Sequence, residues 1–341
     1  MINPGSANLS GAPGKIARTE AFKEGAARAE ALADEVLGGS LRAASRLITL
    51  LENESPGVEA ALSKLYPHTG RALVIGVTGT FGAGKSCLID RIAAEYARQN
   101  KQVGILAVDP SSPLTGGAVL GDRIRMSHAG QSSNVYIRSL ASRGEVGGLS
   151  KVISAAINVL DGYGKDIIIV ETLGVGQDEV EIMRVADVIL LTMVPNLGDA
   201  IQLMKAGIME IGNIVVVNKS DLPGAEQLCG NLRTTFHPDA NKSEHWVPVI
   251  VPTVAVKNQG ITAVIEAVDQ YVQHAKSSGQ FLRHRKEIAR LDVMKAITDK
   301  IARRVEAVIS SDSFDSIAED LAHRRLEMQA CVDQVVNSII R

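Results

Sequence analysis

Aromatic residues and long apolar runs are scarce in this chain, and each scarcity excludes a class of protein. Aromatic residues make up only 3% of the 341 residues, which is too few for the stacking surface that binds single-stranded nucleic acids. The formal net charge of −2 also argues against nucleic acid as the main partner. No run approaches the roughly 18 consecutive apolar residues that span a bilayer, so we expect no membrane partner.

Cysteine is also rare. The three cysteines, Cys87, Cys229 and Cys331, are odd in number and far apart. They predict no metal-ligand cluster and indicate a reducing compartment. The N-terminal stretch is rich in glycine, proline and serine and has no apolar core, so it does not resemble a signal peptide. These features together predict a cytoplasmic protein.

The N-terminal part of the chain is predicted to contain no strands. Residues 1–18 are expected to form a flexible tail, and residues 19–70 a helical extension, because strand formers are few and apolar residues recur at helical spacing. Ser40 is a candidate N-cap of one helix in this extension. Ser55 followed by Pro56 is a candidate start of another helix.

Residues 71–275 alternate between short apolar runs and helical patterns. Such alternation predicts an α/β domain with a mostly parallel central sheet flanked by helices. In such sheets, ligands bind at the carboxyl ends of the strands. The predicted strands are 73–78, 103–108, 134–138, 166–171, 187–193, 213–218 and 247–252.

Residues 276–341 are predicted to form a helical arm. Apolar residues recur there at spacings of three and four, namely Met294, Ile297, Ile301, Val305 and Val308. A helix with such a stripe needs a surface to cover it. The preceding domain and a second copy of the chain are both possible, and we favour a homodimer.

The segment Gly79-Thr80-Phe81-Gly82-Ala83-Gly84-Lys85-Ser86 fits the phosphate-binding pattern G-x-x-x-x-G-K-[ST]. An apolar strand precedes it and a helical pattern follows it, so backbone N–H groups and the helix N-terminus would together hold a polyphosphate. We expect Lys85 to reach the β- and γ-phosphates and Ser86 to bind Mg²⁺. The fold expected is that of a P-loop NTPase. The predicted nucleotide-binding residues here are Gly79, Gly82, Ala83, Gly84, Lys85, Ser86 and Cys87.

A second motif selects the base. Asn218, Lys219 and Asp221 form an N-K-x-D sequence directly after an apolar run. The Asp221 carboxylate would accept hydrogen bonds from N1–H and the exocyclic amine of guanine, which adenine cannot supply. Val254 and Ala255 follow a later apolar run and fit a loop whose N–H groups contact the guanine oxygen. The sequence therefore predicts GTP and GDP as ligands.

Acidic residues follow two other strands. Glu171 ends the fourth predicted strand, where a carboxylate would hold the Mg²⁺ hydration shell, and Gly174 would bring its N–H to the γ-phosphate. Asp109 leaves the second strand, which we expect to lie beside the phosphate-loop strand, and is a further candidate for the metal. Asp122 lies in a glycine-containing stretch and is another. The predicted metal residues are Ser86, Asp109, Asp122 and Glu171.

Four longer segments carry a family resemblance: DPSSPLTGGAVLGDRIRM, ETLGVGQDEVEI, PNLGDAIQLMKAGIMEI and VVVNKSDL. In order and spacing they resemble the MeaB/ArgK-like GTPases, a metallochaperone-related group of P-loop GTPases. The resemblance extends over residues 25–341. It implies a chaperone that gates adenosylcobalamin loading into methylmalonyl-CoA mutase, or into a related acyl-CoA mutase, and protects or reactivates that enzyme. It also implies a homodimer formed by the C-terminal arm.

The resemblance further implies roles for single residues. Pro195 to Lys205 matches a switch segment that communicates with the mutase, with Lys205 as its basic residue. The expected catalytic residues are Lys85, Asp109, Asp122, Glu171 and Lys205. The chain departs from the usual family residue at several positions near the switch and phosphate loops, which leaves the hydrolysis rate and the identity of the mutase open. These positions are Phe81, Cys87, Leu173, Asp178 and Asn196.

Two alternative functions belong to other classes. One is a GTP- or ATP-dependent kinase of the amino-acid transport type, which would need an acceptor pocket and a base. The other is a nickel-type metallochaperone, which would need clustered cysteine or histidine. The sequence shows no signature of either requirement, so the mutase chaperone is the favoured hypothesis.

Overall fold

The structure is a computed structural model that describes residues 13–109, 126–141, 148–172, 182–195, 211–236, 246–310 and 312–340. The chain divides into two compact units, Met1–Gly279 and Gln280–Arg341. The second unit begins close to residue 276, where the helical arm is expected to begin. None of the helices in the described ranges combines the length and the apolarity needed to cross a membrane.

A seven-stranded sheet forms the centre of the first unit. Its strand order is β3-β2-β4-β1-β5-β6-β7, and every pairing between neighbours is parallel. All seven predicted strands are confirmed, with small shifts at their ends. The strands are β1 (Leu73–Gly79), β2 (Val103–Asp109), β3 (Val135–Ala141), β4 (Ile167–Glu171), β5 (Val188–Met193), β6 (Ile214–Val217) and β7 (Val249–Pro252).

The strand sequences explain why the sheet is parallel and central. Every residue of β4, β5 and β6 is buried, as expected for strands that have helices on both faces. β-Branched residues dominate these strands, and they pack well on a pleated, two-sided surface. The α/β fold predicted from the sequence is therefore confirmed.

Four helices flank the sheet, and each presents an apolar stripe to it. They are α4 (Lys85–Arg98), α5 (Gly148–Tyr163), α6 (Ala225–Phe236) and α7 (Ile261–Ser277). In α4 the buried positions include Leu88, Ile89, Ile92 and Tyr96, which repeat at the helical spacing of three and four. This packing fixes α4 under the sheet, with its N-terminus at the end of β1.

Three N-terminal helices pack on α5: α1 (Pro13–Leu37), α2 (Leu41–Glu52) and α3 (Val58–Leu65). Helix α1 begins inside the range for which a flexible tail is expected. The Ser40 side chain accepts a hydrogen bond from the Ala43 N–H at 3.2 Å, so its predicted N-cap role is confirmed. The start predicted at Ser55 and Pro56 is wrong. Helix α3 starts after Gly57, which has a left-handed φ of 85°. A Cβ at this position would lie 2.4 Å from the backbone of Ala26, so only glycine fits there.

The second unit is helical throughout its described part. It contains α8 (Gln280–Ile309), α9 (Asp312–Ala322) and α10 (Met328–Ile340). Helix α8 is long, and none of its residues is buried. Met294, Ile297 and Ile301 of the predicted stripe are 62%, 49% and 50% exposed. These three residues of the stripe therefore face solvent in the single chain, whereas Val305 and Val308 are partly buried.

Candidate nucleotide-binding site

The loop between β1 and α4 has a positive φ at three glycines, and a side chain would clash at two of them. Gly79 has a φ of 133° and Gly84 a φ of 86°. A Cβ at Gly79 would lie 2.0 Å from the carbonyl oxygen of Thr192, and one at Gly84 would lie 2.6 Å from Nδ2 of Asn218. These glycines let the loop pass close to β5 and to the residue that follows β6.

Lys85 is the first residue of α4, and its side chain folds back over this loop. Nζ donates to the carbonyl oxygens of Gly79 at 2.8 Å and Thr80 at 3.2 Å. The side chain is buried, so its ammonium charge is concentrated beside the N-terminus of α4. Both features favour an anion at this point.

Ser86 and Glu171 meet on the other side of the loop. The Ser86 hydroxyl donates to Oε1 of Glu171 at 2.7 Å, and Glu171 is only 4% exposed. Glu171 ends β4, which pairs directly with β1 and brings Glu171 opposite Val77. The structure thus brings together two of the four predicted metal residues. Hydroxyl and carboxylate oxygens suit Mg²⁺, which prefers hard oxygen ligands and retains several waters.

The expected neighbour of β1 is wrong. We expected β2, which carries Asp109, to lie beside β1, but β4 lies between them. Strand β2 pairs with β4, with Ala107 opposite Glu171, so Asp109 ends its strand two residues further along. The acidic strand end beside the phosphate loop is therefore Glu171. The side chain of Asp109 lies outside the described part of the structure, as do Asp122, Gly174 and Lys205.

Asn218 joins the phosphate loop to the predicted base loop. Its Nδ2 donates to the carbonyl oxygen of Ala83 at 2.8 Å. Its Oδ1 accepts from the hydroxyl of Thr253 at 3.2 Å and from the N–H of Ala255 at 3.1 Å. Asn218 is 3% exposed. Both Oδ1 and Nδ2 of its amide have hydrogen-bond partners, which fixes the orientation of the side chain. It acts as a brace between the two loops.

Lys219 and Asp221 lie at the mouth of the same site. Lys219 has a left-handed φ of 55°, and its Nζ donates to the carbonyl oxygen of Gly82 at 2.9 Å. Asp221 accepts a hydrogen bond from Nζ of Lys257 at 2.8 Å. That bond lowers the pKa of the Asp221 carboxyl group below its usual range, so the group is an ionised acceptor at neutral pH.

Val254 and Ala255 form the loop that follows β7. Val254 exchanges backbone hydrogen bonds with Gln259, and a short 3₁₀ turn covers Ala255–Lys257. In this turn the Ala255 N–H points to the Asn218 side chain, whereas the Lys257 N–H donates to the carbonyl oxygen of Val254. Lys257 was missed by sequence reasoning. Its only signal is its position two residues after Ala255, which becomes meaningful once Asp221 is seen beside it.

Two residues singled out by the sequence resemblance lie in the phosphate loop and directly after it. Phe81 lies at the loop's outer side and is 80% exposed. Cys87 is partly buried in the first turn of α4, and burial raises the pKa of its thiol. Cys87 is therefore a neutral thiol at pH 7 and not an activated nucleophile.

Four features meet at the carboxyl ends of the parallel strands. They are a glycine loop between a strand and a helix, a buried lysine, a Ser–Glu pair and an N-K-x-D loop held by hydrogen bonds. These features define a P-loop GTPase. A model of the family described as methylmalonyl-CoA mutase-associated GTPase MeaB matches residues 44–310. The chain belongs to the MeaB family, and the resemblance noted from its sequence segments is confirmed.

Relatives and a solved structure agree with this assignment. A putative GTPase of Pyrococcus abyssi is 40% identical over 311 residues, which cover 91% of this chain and 96% of the relative. The mitochondrial methylmalonic aciduria type A homolog of Caenorhabditis briggsae is 30% identical over 286 residues, which cover 78% of this chain and 69% of the relative. A crystal structure of an LAO/AO transport system kinase has a TM-score of 0.66 at 23% identity and covers 92% of this chain and 98% of that chain. This last likeness shows the fold alone.

Proposed function

We propose that this chain is a GTP-hydrolysing chaperone that gates adenosylcobalamin loading into a B12-dependent acyl-CoA mutase and protects or reactivates that enzyme. Methylmalonyl-CoA mutase or a relative would be its partner. The observation that carries the proposal is the family match over residues 44–310, because that family is described as mutase-associated. The site supports the nucleotide part of the proposal through Asn218 and Asp221.

We assign Mg²⁺ to the nucleotide as part of the same proposal. Ser86 and Glu171 would hold the ion and its waters, and their oxygen atoms fit its chemistry. Bound there, the ion would neutralise negative charge on the phosphates. Lys85 would contribute a second positive charge from inside the loop, since its ammonium is already held at the carbonyl oxygens of Gly79 and Thr80.

We propose that hydrolysis is slow in the isolated chain and faster with the mutase. A cation supplied by a partner typically accelerates GTP hydrolysis by about 10³–10⁵. The switch segments expected to sense the nucleotide are residues 109–125, 174–181 and 195–205, and most of each lies outside the described residues. They would follow the carboxyl ends of β2, β4 and β5, which lie on either side of β1 at the edge that carries the phosphate loop.

A homodimer formed by the arm belongs to the same proposal. The exposed stripe of Met294, Ile297 and Ile301 supports it, since exposed apolar patches commonly mark interaction surfaces.

A cytoplasmic location is also proposed, because the cysteines Cys87, Cys229 and Cys331 are free thiols. The kinase and nickel alternatives gain no support from the described residues, which contain no group of three or more metal-binding side chains.

The test is the rate of GTP hydrolysis with and without purified adenosylcobalamin-dependent mutases. We expect at least one mutase to accelerate hydrolysis by about tenfold or more. The Lys85→Ala variant is the control, because it should give no accelerated rate if the hydrolysis occurs at this site. Full-speed hydrolysis by the isolated chain, with no effect of any mutase, would contradict the proposal.

A further inference from the structure

Helix α4 contacts the base loop through an arginine that no motif predicts. Nη2 of Arg91 donates to the carbonyl oxygen of Val256 at 3.2 Å. Val256 is the middle residue of the 3₁₀ turn Ala255–Lys257, and the two residues are 165 positions apart in the sequence. The bond therefore joins the helix that follows the phosphate loop to the turn that would face the guanine oxygen.

The middle of the turn lies at the surface. The side chain of Val256 is 68% exposed, so apolar packing does not hold the middle of the turn. The start of the turn is held by the burial of Ala255, which is 2% exposed, by backbone hydrogen bonds within the turn and by two side-chain contacts. The Ala255 N–H donates to Asn218, and Nζ of Lys257 donates to Asp221. Arg91 supplies the third side-chain contact. Of these three contacts, it is the one made by α4, the helix that follows the phosphate loop.

Arg91 lies near the first turn of α4. Its charge acts on Cys87, one turn earlier on the same helix, and partly offsets the burial that raises the pKa of the Cys87 thiol. Cys87 follows Lys85 and Ser86 directly. The guanidinium group therefore lies beside the turn that carries the phosphate residues, and it donates its hydrogen bond to Val256.

We propose that Arg91 is a positioning residue for base selection. It holds the turn at Ala255–Lys257 so that the backbone expected to face the guanine oxygen keeps a fixed distance from Asp221. This inference rests on the guanine site proposed above. Selectivity requires such groups to be held within about 0.5 Å of their working position, so loss of the Arg91 bond is expected to weaken selection of the base.

The test compares three nucleotides, because each reports on a different contact. GDP and IDP both carry the base oxygen, whereas IDP lacks the exocyclic amine that Asp221 would accept from. ADP carries an amine where the oxygen would be. Loosening the turn should therefore weaken GDP and IDP equally and leave ADP unchanged.

We expect Arg91→Met to raise the dissociation constants of GDP and IDP about tenfold, by loss of one hydrogen bond from a charged donor. The ratio of GDP to IDP affinity should stay as in the wild type, and the ratio of GDP to ADP affinity should fall about tenfold. Arg91→Lys keeps a donor on a long side chain and should restore part of the loss. Arg98→Met is the matched control on α4, because Arg98 pairs only with Glu95 among the described contacts. It should bind all three nucleotides as the wild type does.

Affinities measured by calorimetry or by competition with a fluorescent GDP analogue distinguish these outcomes. Equal weakening of all three nucleotides, or an unchanged GDP to ADP ratio in Arg91→Met, overturns the positioning role. If Arg91→Met fails to fold, the same ratios are measured in Arg91→Lys, where a reduced GDP to ADP ratio is expected and an unchanged one overturns the role. A wild type that does not prefer GDP over ADP would instead contradict the guanine site itself.

Discussion

Asn218 is the residue on which the nucleotide site depends most. Its amide bridges Ala83 of the phosphate loop and both Thr253 and Ala255 of the base loop. The residue is almost fully buried, so water cannot replace these partners if the amide is removed. In this geometry Asn218 shapes the site by holding the two loops together.

We predict that Asn218→Ala loses stability and nucleotide affinity together. Three hydrogen bonds are lost, and buried partners are left without theirs, so we expect a loss of about 2–4 kcal/mol in the free energy of unfolding. GDP binding should weaken at least tenfold because both loops lose their brace. Urea denaturation and a GDP titration measure the two effects.

Asn231→Ala is the control for this substitution, since Asn231 is exposed on α6. It should change the free energy of unfolding by less than about 0.5 kcal/mol. A stable Asn218→Ala variant with normal GDP affinity would show that the brace is not needed.

At the scale of elements, the two ends of the sheet have different roles. The carboxyl ends of β1, β4 and β6 lead into the site, whereas the amino ends of β2, β3 and β4 are joined by Lys165. Its Nζ donates to the side chain of Gln102 and to the carbonyl oxygen of Asn134. Burial lowers the pKa of Lys165 to about 8, so this contact depends on pH.

We predict that Lys165 makes the protein more stable as the pH rises above 8. The unfolded chain keeps a proton on this lysine up to its ordinary pKa of 10.5, whereas the folded chain loses it from about pH 8. Between these values the unfolded state binds more protons, so the free energy of unfolding increases with pH. Relative to Lys165→Met, the wild type should gain on the order of 1 kcal/mol between about pH 8 and pH 9.5.

Urea denaturation at several pH values measures this difference. The exposed Lys101→Met, one residue before Gln102, is the matched control and should follow the wild type. Parallel pH profiles for the wild type and Lys165→Met would show that the Lys165 proton is not linked to folding.

The strands and their order differ in how far the sequence predicts them. All seven strands are predicted, because runs such as Ile167–Val170 and Ile214–Val217 are typical of strands buried on both faces. Their order is not, since an apolar run does not encode which neighbour it pairs with. That is why Asp109 is expected beside β1, where the structure has β4 and Glu171.

The site divides in the same way. The glycine loop and the N-K-x-D residues can be predicted from the sequence, because each motif is a short contiguous segment. Lys257 and Arg91 cannot, because their partners Asp221 and Val256 lie 36 and 165 positions away. The first contact depends on how the loops after β6 and β7 meet, the second on the packing of α4 against the base loop, and neither has a local signature.

At the scale of the whole molecule, a GTPase unit and a helical arm with an exposed apolar stripe make up the chain. In the proposed function, the bound nucleotide is a signal that this molecule passes to a mutase. The rate of hydrolysis stimulated by the mutase must then depend on which nucleotide Asp221 selects. Changing the base that Asp221 accepts should therefore change which triphosphate drives the whole molecule.

Asp221→Asn changes that base directly. Xanthine has a carbonyl oxygen where guanine has its exocyclic amine, and an asparagine amide can donate to that oxygen while accepting from N1–H. The carboxylate of the wild type would instead face that oxygen without a hydrogen bond between them. A site built on such pairs rejects the wrong partner strongly.

The decisive measurement is mutase-stimulated hydrolysis of GTP and XTP by the wild type and by Asp221→Asn. We predict that the wild type responds to the mutase with GTP alone. The variant should lose at least about a hundredfold of its GTP rate and gain a mutase-stimulated XTP rate. An Asp221→Asn variant that still works with GTP and ignores XTP would contradict a nucleotide signal read at Asp221.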